Sequence, residues 1–314
     1  MVQTTEIFSS QLPVGEKLSI KRTRFETDDK SVKNKKRISI VSGIHGDELE
    51  GQLVIFQLAK WLNENMDKLK GIVDIYPAVN SLGVDSITRS FPSYDIDLNR
   101  AFPGGENEFL PGQVVHALAS DVKGSDIAID IHSSNIFLRE IPQIRINKEF
   151  SPSTLPLAKE LNCDFIWIHD AVTVLEATFS HTLNSVGTKT LVVEMGVGMR
   201  LTKEYGTQLL TGILNLMKKE GIIECDENYL VREPFTSEIG EVHYLNAAKS
   251  GLFVPSLEHC AVIKKDEKIG EIVNPLTGAV LSEIMSPSDG ILFTLREYPV
   301  VYEGSLLARI FGEK

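Results

Sequence analysis

The sequence predicts an α/β protein in which helices cover both sides of a sheet that is parallel at least in part, followed by a small C-terminal all-β domain. Three observations predict it. Short β-branched apolar runs alternate with segments of helical period as far as about residue 226. After Glu224 the pattern changes to short alternating segments with frequent Gly and Pro, as in residues 273–295 and 298–310. The length, 314 residues, also exceeds what one core normally spans. A division into 1–226 and 227–314 follows. With 24% charged and 42% hydrophobic residues the chain is neither disordered, collagenous nor coiled-coil, and no repeat points to a solenoid.

The elements can be read in order. Lys36–Ser42 is short, β-branched and stops at Gly43, as a buried strand does. Leu49, Leu53, Phe56, Ala59 and Leu62 recur at steps of three and four, placing one apolar stripe on a helix from about Asp47 to Met66. Gly71–Ala78, Asp126–Ile131, Asp164–Ile168 and Thr190–Glu194 are apolar runs expected to be strands buried on both faces, and Tyr205–Lys219 is expected to be a helix. The basic run Asp29–Arg37, between two early strand candidates, reads as a solvated hairpin loop because nothing aromatic is interleaved with it.

Net charge is −11 and both pieces are acidic, which argues against a nucleic-acid partner. No export signal is visible at the N-terminus, and no run of apolar residues is long enough to span a membrane. Cys163, Cys225 and Cys260 are widely spaced and fit no C-x-x-C pattern, so reduced thiols and a cytoplasmic location are expected. Any metal chemistry must then rest on histidines and carboxylates.

Several such residues fall just past strand ends, where α/β proteins place their sites. The first strand runs into Gly43-Ile44-His45-Gly46-Asp47-Glu48, so His45 and Glu48 sit three apart on a strand-to-helix turn and can share one ion. The run 126–131 leads into His132, a second imidazole at the same sheet edge. Two His and one carboxylate make a three-ligand zinc site with an open position; buried, hydrogen-bonded structural histidines are the alternative. Glu194 ends an apolar strand and precedes glycines at 196 and 198. Such a carboxylate is costly to bury unless paired or used; beside an activated water it would be the general base, and otherwise it is a capping or salt-bridging residue. Asn99 and Arg100 offer an amide and a planar guanidinium fork suited to a substrate carboxylate. Arg89 in its polar loop would polarise a scissile carbonyl, or else form a surface ion pair.

Together His45-Gly46-Asp47-Glu48, the run 97–104 containing Asn99 and Arg100, Asp130-Ile131-His132 and Val193-Glu194-Met195-Gly196 resemble the succinylglutamate desuccinylase/aspartoacylase family of the zinc-carboxypeptidase-like superfamily. The resemblance covers about residues 36–226. It implies a zinc-carboxypeptidase-like mixed sheet and one zinc ion per chain, held by His45, Glu48 and His132. It further implies water activated by Glu194, a carbonyl polarised by Arg89, and substrate gripped by Asn99 and Arg100. The reaction implied is removal of an acyl group from the nitrogen of a small carboxylate-bearing amino acid or related amine. Arg145 would add a second anion contact, with a surface role as the alternative. A carboxypeptidase acting on short peptides, or a metal-binding scaffold without turnover, are the competing readings. The tail resembles the hammerhead-like sandwich of biotinyl and lipoyl carrier domains, but no lysine occupies its tight turn at Met285-Ser286-Pro287, so a lid or assembly surface is expected instead of a carrier. Some members of such families supply a substrate-contacting tyrosine from the tail; Tyr298 and Tyr302 are the candidates for it, and the sequence selects neither.

Overall fold

The computed structural model of the protein describes residues 1–170 and 176–312. The N-terminal hairpin β1 (Val2–Gln11) and β2 (Lys17–Glu26) leads to β3 (Arg37–Ser42), α1 (Glu50–Glu64), β4 (Ile72–Tyr76), α2 (Ser81–Ser86) and α3 (Leu110–Val122). Then come β5 (Ile127–Ser133), β6 (Leu138–Asn147), α4 (Ser151–Ala158), β7 (Phe165–His169), α5 (Phe179–Ser185), β8 (Lys189–Gly196) and α6 (Lys203–Lys219). The strands lie in the order β1-β2-β4-β3-β5-β8-β6. Within this order β4, β3, β5 and β8 are mutually parallel, whereas β2 and β6 run antiparallel to their neighbours, so the sheet is mixed. α1, α4 and α6 pack their apolar residues on one face, and α3 and α5 on the other. This two-sided cover explains why the central strands are apolar along their whole length.

Three expectations need correction. The buried stripe of α1 is Gly51, Val54, Ile55, Leu58 and Leu62, not the one through Phe56, which is 64% exposed. Residues 53–56 are all apolar, so spacing alone could not decide which of two neighbouring faces meets the sheet. The basic run ending at Arg37 is not in a hairpin, because β4 lies between β2 and β3 and the connection crosses over it. The stretch that carries Arg145, absent from the strands expected from the sequence, becomes strand β6 from Leu138. It pairs with β8 through an irregularity between Glu140 and Gln143, where Pro142 withdraws a ladder donor.

The tail contributes β9 (Phe235–Thr236), β10 (Glu241–Asn246), β11 (Gly251–Pro255), β12 (Val262–Ile263), β13 (Lys268–Asn274), β14 (Ala279–Met285), β15 (Gly290–Arg296), β16 (Val300–Val301) and β17 (Leu306–Gly312). β14, β13, β11 and β16 form a four-stranded sheet, and the tail has its own apolar core around Phe253, Ile272, Leu292 and Ile310. β15, β17 and β10 continue the main sheet: β15 pairs with β6 at Thr294 with Glu140 and Leu295 with Arg139, which covers a stretch of β6 that would otherwise be an open edge. Phe165, Phe293 and Phe311 close the junction, with ring centroids 5.0 and 5.1 Å from Phe165. Among the described residues no helix is long and apolar enough to cross a membrane, and the three cysteines are unpaired.

Candidate metal centre and cleft

β3 ends on a turn that two glycines make possible. Gly43 has φ +69°, a conformation other residues rarely adopt, and a Cβ on Gly46 would lie 2.1 Å from the backbone of Gly83. The turn therefore packs tightly against the start of α2 and carries His45 and Glu48 to the C-terminal edge of the sheet. β5 lies beside β3 in parallel register, Ser42 opposite Ile131, and delivers His132 to the same place. All three side chains are buried.

His45 Nδ1 lies 2.9 Å from Glu48 Oε1, and His132 Nδ1 lies 2.9 Å from Glu48 Oε2 and 3.2 Å from His45 Nδ1. The other ring nitrogens are both held by carboxylates: His45 Nε2 by Asp97 Oδ1 and His132 Nε2 by Asp130 Oδ2, each at 2.9 Å. A carboxylate behind Nε2 draws the imidazole proton there and leaves a lone pair on Nδ1. Two such lone pairs and a carboxylate, with donor atoms within 4.8 Å of one another, repel unless a cation sits among them. The donor set, two nitrogens and a carboxylate, thus fits a small divalent cation of the zinc type. Burial lowers the proton affinity of both imidazoles, but the facing carboxylates outweigh it and hold both above the ordinary histidine value, Glu48 and Asp97 acting on His45, and Asp130 and Glu48 on His132. Burial would raise the Glu48 carboxyl, yet the two histidines draw it well below the ordinary range.

Beside this group a cavity of about 190 Å³ is lined by Arg89, Asn99, Arg100, Arg145 and Glu194 as well as by His45 and His132. Of the metal, catalytic and substrate-binding residues expected from the sequence, all except Glu48 therefore line one cleft, and Glu48 contacts both histidines. Glu194, at the end of β8, is opposite His132 in the strand register, and burial raises its carboxyl against the pull of Arg145. Arg89 donates to Glu48 Oε1 at 2.6 Å and Asp97 Oδ2 at 3.3 Å. Arg145 is not free either, with one terminal nitrogen on Glu140 and the other on Glu194. Among the described residues no carboxylate comes within ion-pair distance of Arg100, which donates to the Asn99 carbonyl at 2.7 Å. Asn99 is anchored on its acceptor side, its Oδ1 taking the Phe179 N–H at 2.9 Å.

The sequence reading passed over Asp97 and Asp130 as partners, although a signal existed: Asp130 is two residues before His132 on a strand and so shares its face. His169 and His181 also line the cleft, and as isolated histidines they carry no signal in the sequence. Tyr298 and Tyr302 do not line it; Tyr298 packs on Phe137 with ring centroids 5.8 Å apart, and Tyr302 is exposed.

Comparison with known proteins gives a consistent picture. The sequence model of the succinylglutamate desuccinylase/aspartoacylase catalytic domain matches residues 34–219. The N-alpha-acetyl-L-2,4-diaminobutyric acid deacetylase of Halomonas elongata is 25% identical over 281 residues, covering 87% of this chain and 77% of that protein. Among solved structures, the succinylglutamate desuccinylase/aspartoacylase of Rhodobacter sphaeroides superposes with a TM-score of 0.82 at 24% identity, covering 100% of this chain and 96% of that one. The product-bound ectoine utilization protein EutE (DoeB) of Ruegeria pomeroyi does so with 0.81 at 16% identity, covering 99% and 95%. The structural likenesses establish the mixed α/β fold.

Proposed function

The chain belongs to the succinylglutamate desuccinylase/aspartoacylase family, and on that premise we propose that it is a zinc-dependent hydrolase cleaving the amide bond of a small N-acylated amino acid or related N-acylated amine. The observation that carries this reading is the placement of two histidine lone pairs and a carboxylate beside one small cleft that Glu194 also lines. His45, Glu48 and His132 would hold one zinc ion per chain, which when bound supplies a Lewis acid that acidifies water and polarises a carbonyl. Glu194 takes the proton of the attacking water and returns it to the departing nitrogen; burial, by raising its carboxyl, brings it closer to the range a proton shuttle needs. Arg89, fixed by Glu48 and Asp97, stabilises the developing oxyanion. Arg100, without a carboxylate partner among the described residues, and the amide of Asn99 take the substrate carboxylate. Arg145 adds positive charge to the same wall.

The size of the cavity favours a single acylated amino acid over a peptide chain, which ranks carboxypeptidase activity below deacylation. The Halomonas relative, named for deacetylating an acylated diamino acid, supports the same substrate class. We read the tail as a second domain, 227–314, of the biotinyl/lipoyl sandwich type without the carrier lysine, a reading its small sheet packed on the β15–β17–β10 extension supports.

The test is hydrolysis of acetyl-, succinyl- and formyl-amino acids by the zinc-loaded protein and by Glu194→Gln. The substitution is expected to lower kcat by about 10²–10⁴-fold while zinc remains bound. Unchanged turnover would overturn the assignment.

A further inference from the structure

Glu194 is tied to the tail by an unbroken chain of ion pairs. Arg145 Nη1 lies 3.2 Å from Glu194 Oε1, and Arg145 Nη2 donates to Glu140 Oε2 at 2.7 Å. Gln143 donates to the same Glu140 oxygen. The other oxygen of Glu140, Oε1, accepts from Arg309 Nη1 at 2.7 Å, and Arg309 belongs to tail strand β17. The Glu140 side chain is 2% exposed. Both guanidiniums also stack on Trp167, each 5.6 Å from the ring centroid. Among the described residues their Nε atoms are buried without a partner, so the carboxylates, the indole and, for Arg309, the Tyr244 ring are what hold them.

We propose that Arg309 is a positioning residue for Glu194, acting through Glu140 and Arg145; this rests on reading Glu194 as the proton shuttle. Arg145 serves two carboxylates, and Glu140 is the more deeply buried of the two. A buried carboxylate with an incomplete set of partners draws the nearest cation strongly. Arg309 satisfies one oxygen of Glu140 and so leaves the second arm of Arg145 to orient Glu194. Without Arg309, Glu140 and Glu194 compete for one guanidinium, and the deeper carboxylate wins. The β15–β6 pairing and the aromatic junction hold β17 in place, so the tail supports the shuttle from behind the cleft.

The test uses the zinc-loaded full chain. Arg309→Met is expected to lower kcat by about tenfold or more with KM within about twofold and zinc content unchanged. Arg309→Lys, which keeps the charge, should recover part of that loss. Glu140→Gln combined with Arg309→Met removes one charge of each sign and ends the competition for Arg145, so the double variant should keep kcat within about threefold of the parent. This double variant carries the test by itself if Arg309→Met does not fold. A parental kcat in Arg309→Met, or a double variant as slow as the single one, overturns the proposal while an inactive Glu194→Gln leaves the deacylase reading standing. If Glu194→Gln turns over like the parent, the shuttle assignment falls and this inference falls with it.

Discussion

The two walls of the cleft are built over different distances along the chain. The ligand wall comes from strand ends that are immediate neighbours: His45 and Glu48 share one turn after β3, His132 ends the adjoining β5, and Asp130 stands two residues before it. The other wall sets Glu194 at the end of β8, in register with His132, but supports it with Arg145 and Glu140 from β6 and with Arg309 from β17. One wall is fixed by short turns and parallel pairing. The other depends on a chain of ion pairs whose last link, Arg309 to Glu140, exists only once the tail has docked, so the two should fail in different ways.

The largest expected effect tests that division directly. Glu48→Gln or His132→Ala should reduce bound zinc from about one ion per chain to none, with turnover falling to background, because three ligands are the fewest that hold a catalytic zinc. Metal analysis of purified variants beside Glu194→Gln is the measurement. The comparison breaks if Glu194→Gln also loses its metal, since the two walls would then be one unit. A smaller effect sharpens the ligand wall itself. Asp97→Asn and Asp130→Asn should each weaken zinc binding by about 10–100-fold in competition titrations, because an amide no longer fixes the imidazole proton on Nε2. Parental affinity in both variants would show that the histidine tautomers are set by something else.

The same contrast explains what was legible in the sequence. The ligand wall consists of short motifs at the ends of apolar strands, each readable within a few residues, and strands, helices and the change of pattern near residue 226 emerge from the same local grammar. The support of Glu194 was hidden. Arg145 lies in a mixed stretch interrupted by Pro142 with no continuous apolar run, and Arg309 is one basic residue in an otherwise ordinary tail segment. Its partner Glu140 becomes a neighbour only when β15 pairs with β6, a register no local pattern specifies. Asp97 stands two residues before Asn99, and the amide and guanidinium beside it point to a substrate role for that turn that masks its partnership with His45.

The footing of the ligand wall supplies the smallest expected effect. α1 leads straight out of the ligand turn, and the expected apolar stripe runs through Phe56, whereas a neighbouring face carries Val54, Ile55 and Leu58. The sheet meets the second, leaving Phe56 64% exposed on the outer surface. Phe56→Ser should therefore change unfolding free energy by no more than about 0.5 kcal/mol in denaturant titration, as surface substitutions generally do. Zinc affinity should stay at the parental value, because the inner face alone fixes where the helix, and with it Glu48, sits. A loss of more than about 1 kcal/mol would mean that Phe56 is covered in solution. The outer face of α1 would then be a buried surface, and the ligand wall would rest on a second contact besides the sheet.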